Sequence, residues 1–178
     1  IRADGIDLYD ESGGRVTARR NGRVVASGRV SVVAEAFDRV DGNAAGRRLG
    51  VYAIGYQVLG RDGTPAPGFE EPRTAIQFDR LPAEPEAAKL AYADGSGITV
   101  YGNRVTRFRY IVTNRVGGGE AAGGMWDTAL LPPGNYTLRA ILDPFDAIPE
   151  VDEGNNVATM PIAITRPHWR LRTRSTSG

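Results

Sequence analysis

"LPPGNYTLRAILD", residues 131–143, carries the pattern that decides the fold. Pro132 and Pro133 with Gly134 cannot extend a helix or sit inside a central strand, so the chain turns a corner there. Beyond the corner, Tyr136, Leu138, Ala140 and Leu142 alternate with Thr137, Arg139 and Ile141, and a period of two places the first set on one face of a strand. The first set is expected to face the core. Ile141 is the exception on the outer face, where it meets a partner or lies beneath a covering loop. The Pro-Gly-x-Tyr-x-Leu form fits either a plain hairpin with a core Tyr136 or a corner whose tyrosine reaches back to a backbone group.

The same alternation recurs along the chain. Val30, Val32, Ala34 and Ala36 form one set, Tyr52, Ile54, Tyr56 and Val58 a second, and Phe108, Tyr110 and Val112 a third. Ala158, Met160, Ile162 and Ile164 close the series. Separated by Gly, Pro, Asn and Asp clusters, these stretches predict an all-β, immunoglobulin-like antiparallel sandwich with long loops and at most one short helix. That helix falls within residues 82–92, where Pro85 limits it to a turn or two. Asn21-Gly22 predicts a type I′ hairpin, because both central residues of that turn need positive φ. Residues 5–20 form either one strand bulged at Gly13-Gly14 that turns into a long strand 23–37, or a full reversal at residues 10–14. Residues 1–165 read as a single sandwich domain and 166–178 as an Arg-rich, Ser/Thr-rich tail or linker. "VGGGEAAGGMWD", residues 116–127, has five glycines and few anchoring side chains and reads as a mobile loop. A phosphate-cradling role there needs a following helix, and "MWDTALLPPG" has no helical period.

Composition narrows the chemistry. A chain of 178 residues is long enough for one well-buried core without staples. There is no cysteine and a single histidine, His168, so thiol catalysis, zinc-thiolate sites and a Ser-His-Asp triad have nothing to be built from. The net charge of +1 gives no global field for nucleic acid, and no apolar run is long enough to span a membrane. Of the 22 basic residues all but Lys89 are Arg, a bias associated with GC-rich bacterial genomes. Ile1 in first place reads as a processed chain or an excised domain.

The sharpest chemical signal lies between the last two strands. Asp143, Asp146, Glu150, Asp152 and Glu153 fall within eleven residues, with no Lys or Arg between Arg139 and Arg166. Each close pair of such charges costs on the order of 1 kcal/mol at a surface unless something positive intervenes. Calcium takes about six to eight oxygen ligands from carboxylates, amide oxygens, backbone carbonyls and water. The spacing Glu150-x-Asp152-x-x-Asn155-Asn156 can wrap one ion, and the neutral amides add coordination without adding repulsion. The alternative is a solvated acidic loop in which Asn155 and Asn156 serve turn geometry. Asp38, Asp41 and Asn43 are further oxygen donors that reach the same pole if residues 5–20 form a single strand; a full reversal at residues 10–14 removes that convergence.

"DPFDAIPEVDEGNN", residues 143–156, resembles the closing motif of CARDB-type adhesion domains, immunoglobulin-like sandwiches of bacterial cell surfaces. A similar Glu-x-Asp-x-x-Asn-Asn loop binds calcium in the catalytic domains of lysyl oxidases, where an Asp-Leu pair at the domain's start adds ligands. "GIDLYD" offers Asp7 and Leu8 in that place. The resemblance implies calcium held by the side chain of Asp7, the backbone oxygen of Leu8, and Glu150, Asp152, Asn155 and Asn156. A weaker resemblance, over "SVVAEAFDRVDGNAAGRRLGVYAIGYQVL", residues 31–59, and "LPPGNYTLRA", is to the sandwich region accompanying LytM-type endopeptidases, whose zinc-binding histidines this chain lacks.

These readings imply a non-catalytic, calcium-stabilised module, periplasmic or extracellular, that binds or spaces a protein partner or cell-envelope component, without a nucleic-acid partner. The runner-up is an accessory domain or subunit of an envelope hydrolase or of a larger membrane-associated assembly. A carboxylate-dependent hydrolase with Trp126-Asp127 bordering its cleft, and a polyanion binder using the Arg tail and Trp169, are the competing classes.

Overall fold

The computed structural model describes residues 1–39, 46–97, 106–149 and 153–166. Two β-sheets pack face to face. The elements are β1 (Arg2–Asp10), β2 (Arg19–Arg20), β3 (Arg23–Ala26), β4 (Arg29–Phe37), β5 (Ala53–Leu59), β6 (Arg73–Gln77), α1 (Ala87–Ala91), β7 (Arg109–Ile111), β8 (Arg115–Gly117), β9 (Glu120–Ala122), β10 (Trp126–Asp127), β11 (Gly134–Leu142) and β12 (Val157–Ile164), with 3-10 turns at Thr128–Leu130 and Glu153–Asn155. The fold class expected from alternation is the one that forms.

In the four-stranded sheet β4 pairs with β1 along one edge and with β7 and β10 along the other. The eight-stranded sheet runs β2-β3-β12-β11-β5-β6-β8-β9. Two of its contacts, β3 with β12 and β6 with β8, are parallel, a departure from the purely antiparallel expectation. Between the sheets lies one apolar core that includes Leu8, Val32, Ile54, Val58, Tyr110, Trp126, Leu138, Ile162 and Ile164. Trp126 meets the ring of Phe69 edge-on at 5.9 Å, and Phe69 meets Tyr56 at 5.7 Å, so three aromatic rings join β10 to β5 across the core.

β11 keeps its predicted register. Leu138, Ala140 and Leu142 are buried, while Thr137, Arg139 and Ile141 are half-buried on the outer face. The Tyr136 hydroxyl donates to the Pro132 carbonyl at 2.9 Å, so the corner is of the tyrosine type. Val30, Val32, Ala34 and Ala36 are buried as expected, as are Phe108, Tyr110, Val112 and the Ala158–Ile164 set. Tyr52 is not part of its expected set: it precedes β5 and is 41% exposed. Asn21 and Gly22 take φ of 50° and 77° and close the β2-β3 hairpin.

Three of the arrangements set out from the sequence do not form. The chain does not run on from residue 5 to 20; it reverses at Asp10-Glu11-Ser12-Gly13-Gly14. The cause is local. Asp10 Oδ1 accepts from Ser12 N, Ser12 Oγ and Gly14 N at 2.9, 2.6 and 2.9 Å, and Gly13 supplies φ of 81°. The Ser12 hydroxyl bond, then the Gly14 amide bond, holds the Asp10 carboxyl below the usual carboxylate range.

Nor is residues 23–37 one strand. It breaks at Ser27-Gly28, where φ of 71° at Gly28 passes the chain from the larger sheet to the smaller. The Gly28 carbonyl accepts from both Thr128 N and Thr128 Oγ1, at 3.0 and 2.8 Å.

The glycine-rich segment is a regular edge hairpin rather than a loop. β8 and β9 pair through Arg115↔Ala122 and Gly117↔Glu120 around Gly118-Gly119. Asn114 ties it to the rest, donating to Leu90 O and accepting from Gly124 N, both at 2.8 Å.

Tyr110 is fully buried, its hydroxyl accepting from Val51 N at 2.9 Å and its ring 5.1 Å from that of Tyr92. Burial first, and the neighbouring Tyr92 second, push its hydroxyl pKa far up from 10.0. The neutral phenol is therefore favoured in the folded state, and its contribution is complete below pH 10 and lost as pH rises beyond that unfolded value. Stability should fall steeply above about pH 10, and Tyr110→Phe should flatten that limb while lowering stability at neutral pH; equilibrium denaturation across the alkaline range checks both. Gly28→Ala should cost about 1–2 kcal/mol through left-handed backbone strain alone, measurable by urea unfolding.

Candidate functional site

The acidic loop leaves β11 at Leu142 and returns at Val157. Asp143, the first residue past β11, adopts φ of 44°, which swings its side chain inward. Its amide donates to Ala53 O at 3.1 Å, its carbonyl accepts from Asp146 N at 2.9 Å, and Oδ2 accepts from Ile148 N at 2.7 Å. Asp143 is only 7% exposed, and its second oxygen, Oδ1, is enclosed with no hydrogen-bond partner among the described residues. At the far end of the loop Asn156 is equally buried, with its carbonyl accepting from Leu142 N at 2.8 Å, and the Asn155 and Asn156 amide oxygens are both enclosed. Phe145 and Ile148 stand out from the loop, exposed.

The structure does not bring Asp7 to this loop. Because Leu8 points into the core, Asp7 points out of the four-stranded sheet on its opposite face, level with Val33 and four places in from the end where Arg2 meets Phe37. The register of β1 on β4 is the reason, since it pairs Asp7 with Val33 inside the strand rather than with its end. There Asp7 Oδ1 accepts from Arg15 Nη2 at 2.5 Å and Oδ2 from Arg109 Nη2 at 3.1 Å. Arg109 Nη2 also donates to Tyr9 Oη at 2.6 Å, and Arg107 pairs with Glu35 alongside. The Asp7 side-chain bond, then its charge, raises the pKa of Arg15 further. Among the described residues, then, Asn155 and Asn156 close the acidic loop while Asp7 and Leu8 are mid-strand elsewhere.

Glu150 and Asp152 lie outside the described residues, as do Asp41, Asn43, His168, Trp169 and the tail beyond Arg166. Asp38 directly follows β4 and forms a mutual backbone pair with Leu49. Trp126 cannot border a hydrolytic cleft: it is 1% exposed, deep in the core.

The buried carboxylate that spacing did not single out is Asp143. Its signal was present, an aspartate directly after an alternating strand and before Pro144, but only the positive φ turns its carboxyl inward.

No family model, curated protein or solved structure matches the chain significantly. Function must be argued from the geometry. Among the described residues no helix is long and apolar enough to cross a membrane, and no group of three or more His, Asp or Glu converges as a metal site.

The Arg109 guanidinium is largely buried between Asp7, Tyr9 and the Asp94 carbonyl. Removing it strips three acceptors at once. Arg109→Leu should therefore destabilise the fold by about 1–3 kcal/mol, and Arg15→Leu, whose side chain is mostly in water, by clearly less; chemical denaturation of the two variants side by side tests the ranking.

Proposed function

We propose that the chain is a non-catalytic, calcium-stabilised β-sandwich module that binds or spaces components of a bacterial cell envelope in the periplasm or outside the cell. The observation that carries the metal is Asp143 Oδ1, a carboxylate oxygen enclosed at the root of the acidic loop with no hydrogen-bond partner among the described residues. Leaving such an oxygen unpaired is costly, and a divalent cation removes the cost.

The donors of this reading fit a hard cation. It takes carboxylate and amide oxygens only, Asp143 with Asn155, Asn156, Glu150 and Asp152 from the same loop. An all-oxygen set with neutral amides suits calcium better than zinc or copper. Asp7 is left out of this set, because both of its oxygens already accept from guanidinium groups. The ion's role is structural: it would fasten the start of the β11-β12 connection to its end. Extracellular modules hold calcium at about 10⁻⁴ to 10⁻³ M, which suits an envelope compartment. The non-catalytic reading draws on a chain with no cysteine and one histidine, and on Trp126 being sealed in the core.

An ion bound only by the folded state adds about 2.7 kcal/mol at a hundredfold excess over Kd, or roughly 5–10 °C for a domain of this size. Thermal unfolding with millimolar calcium and with EGTA should show that difference in the parent chain, should show it again in Asp7→Asn, and should lose it in Asp143→Asn and Asp152→Asn. Superimposable curves for the parent chain would return the loop to simple solvation.

A further inference from the structure

We propose that a cleft on the outer face of the eight-stranded sheet, between β6, the β8-β9 hairpin and Phe145, receives one pyranose unit of a neutral glycan. The inference rests on reading the chain as a binding module and draws nothing from the metal.

The cleft has a volume of 260 Å³. That is below the range of about 300–1,000 Å³ typical of drug-sized sites, so it suits a single ring rather than a large ligand. It exists because its floor has almost no side chains: Ala75 on β6, then Gly117 and Gly118 on the hairpin. A Cβ added at Gly117 would come within 3.3 Å of the Gln77 carbonyl oxygen. The hairpin is also fixed in place, since Gly118 N donates to Asp79 Oδ1 at 2.9 Å and Arg115 pairs with Glu120 at 2.9 Å. Here the glycine run of residues 117–119 finds a use that a mobile loop would not give it.

The walls combine an aromatic ring with polar groups of balanced charge. Phe145, 62% exposed, overhangs one side. A second exposed ring, Tyr52, is adjacent through the Gln77 amide, whose Nε2 donates to Tyr52 Oη at 3.3 Å. An exposed phenylalanine beside a cleft is costly in water and gains by covering an apolar surface. The polar side offers the Gln77 amide and Thr74 hydroxyl, which donate and accept, and Arg115 and Glu120, whose charges cancel in their own pair. An anionic ligand would meet Glu120, and a cationic one Arg115. A pyranose ring answers both requirements, because it is uncharged, carries hydroxyls around its rim and presents an apolar C–H face to an aromatic ring.

The test is calorimetric titration of the full chain with cellohexaose, chitohexaose and mannohexaose, with polygalacturonate as a charged comparison, each in calcium and in EGTA. At least one neutral hexasaccharide should bind, with little dependence on salt. Phe145→Ala should weaken it about tenfold, and Leu130→Ala, an exposed apolar residue at the other end of the sandwich, should leave it unchanged. On the unaltered chain, the same sugar should shift the Gly117 and Gly118 amide resonances. Absence of binding by all three neutral sugars, binding indifferent to Phe145→Ala, or salt-sensitive binding of polygalacturonate alone would overturn the proposal. Melting curves of the same samples report on calcium separately, so failure here leaves the metal reading standing and failure there leaves this one.

Discussion

The crossing at Ser27-Gly28 is the constraint on which the rest of the sandwich depends. Within two residues the chain must leave β3 in the larger sheet and begin β4 in the smaller one, and both sheets are then built outward from those two strands. β3 pairs in parallel with β12, and Thr165 N donates to Ala26 O at 3.0 Å, which fixes the last strand against the crossing. β4 collects β1 on one side and β7 and β10 on the other. The fully buried Thr128 seals the junction with two bonds to one carbonyl, so the 3-10 turn after β10 is held where β11 must start. A carbonyl exposed by a sheet switch in the interior needs such a donor, since a buried acceptor without one costs about 1–3 kcal/mol.

That crossing is also where the sequence was least legible, for a physical reason. Val24, Ala26, Val30, Val32, Ala34 and Ala36 keep one phase of a period of two across Gly28, and every one of them is buried. The two sheets face each other across a single core, so a strand can change sheets without changing the phase of its apolar residues. Periodicity reports which side chains meet the core; it is silent about which sheet carries them. The Tyr136 corner, the Asn21-Gly22 hairpin and the short helix at Ala87–Ala91 were legible because each rests on local chemistry. The reversal at Asp10 was local too, signalled by Asp-x-Ser-Gly-Gly, but its mechanism is an aspartate oxygen collecting three donors, which a reading of Gly13-Gly14 as a bulge passes over.

The candidate site was half legible for a related reason. Charge along the chain located the acidic loop, yet distance through space sorts the acids into two different environments. Asp7 and Glu35, on the outer face of the smaller sheet, are matched by Arg15, Arg109 and Arg107, and these guanidinium groups roof over the buried Val33. Their long stems cover apolar surface while their heads satisfy carboxylates, which is structural work. Arg39 and Arg48 instead lay their guanidinium groups over the ring of Phe37, at 5.3 and 4.2 Å from its centre. Part of the arginine in this chain is thus placed on that outer face, while the sequence from residue 140 to 165 contains none.

The contrast between the two aspartates follows from strand geometry. Asp7 lies in a strand, where alternation turns it to the outside and within reach of cations on neighbouring strands. Asp143 lies one step past a strand, where a positive φ turns its carboxyl back into the loop, and the only donor it meets among the described residues is the Ile148 amide. A single backbone donor satisfies one oxygen of an ionised carboxylate and leaves the other facing the loop's interior. The calcium proposed above would meet that second oxygen, which would tie the value of Asp143 to the ionic composition of the compartment in which the chain works.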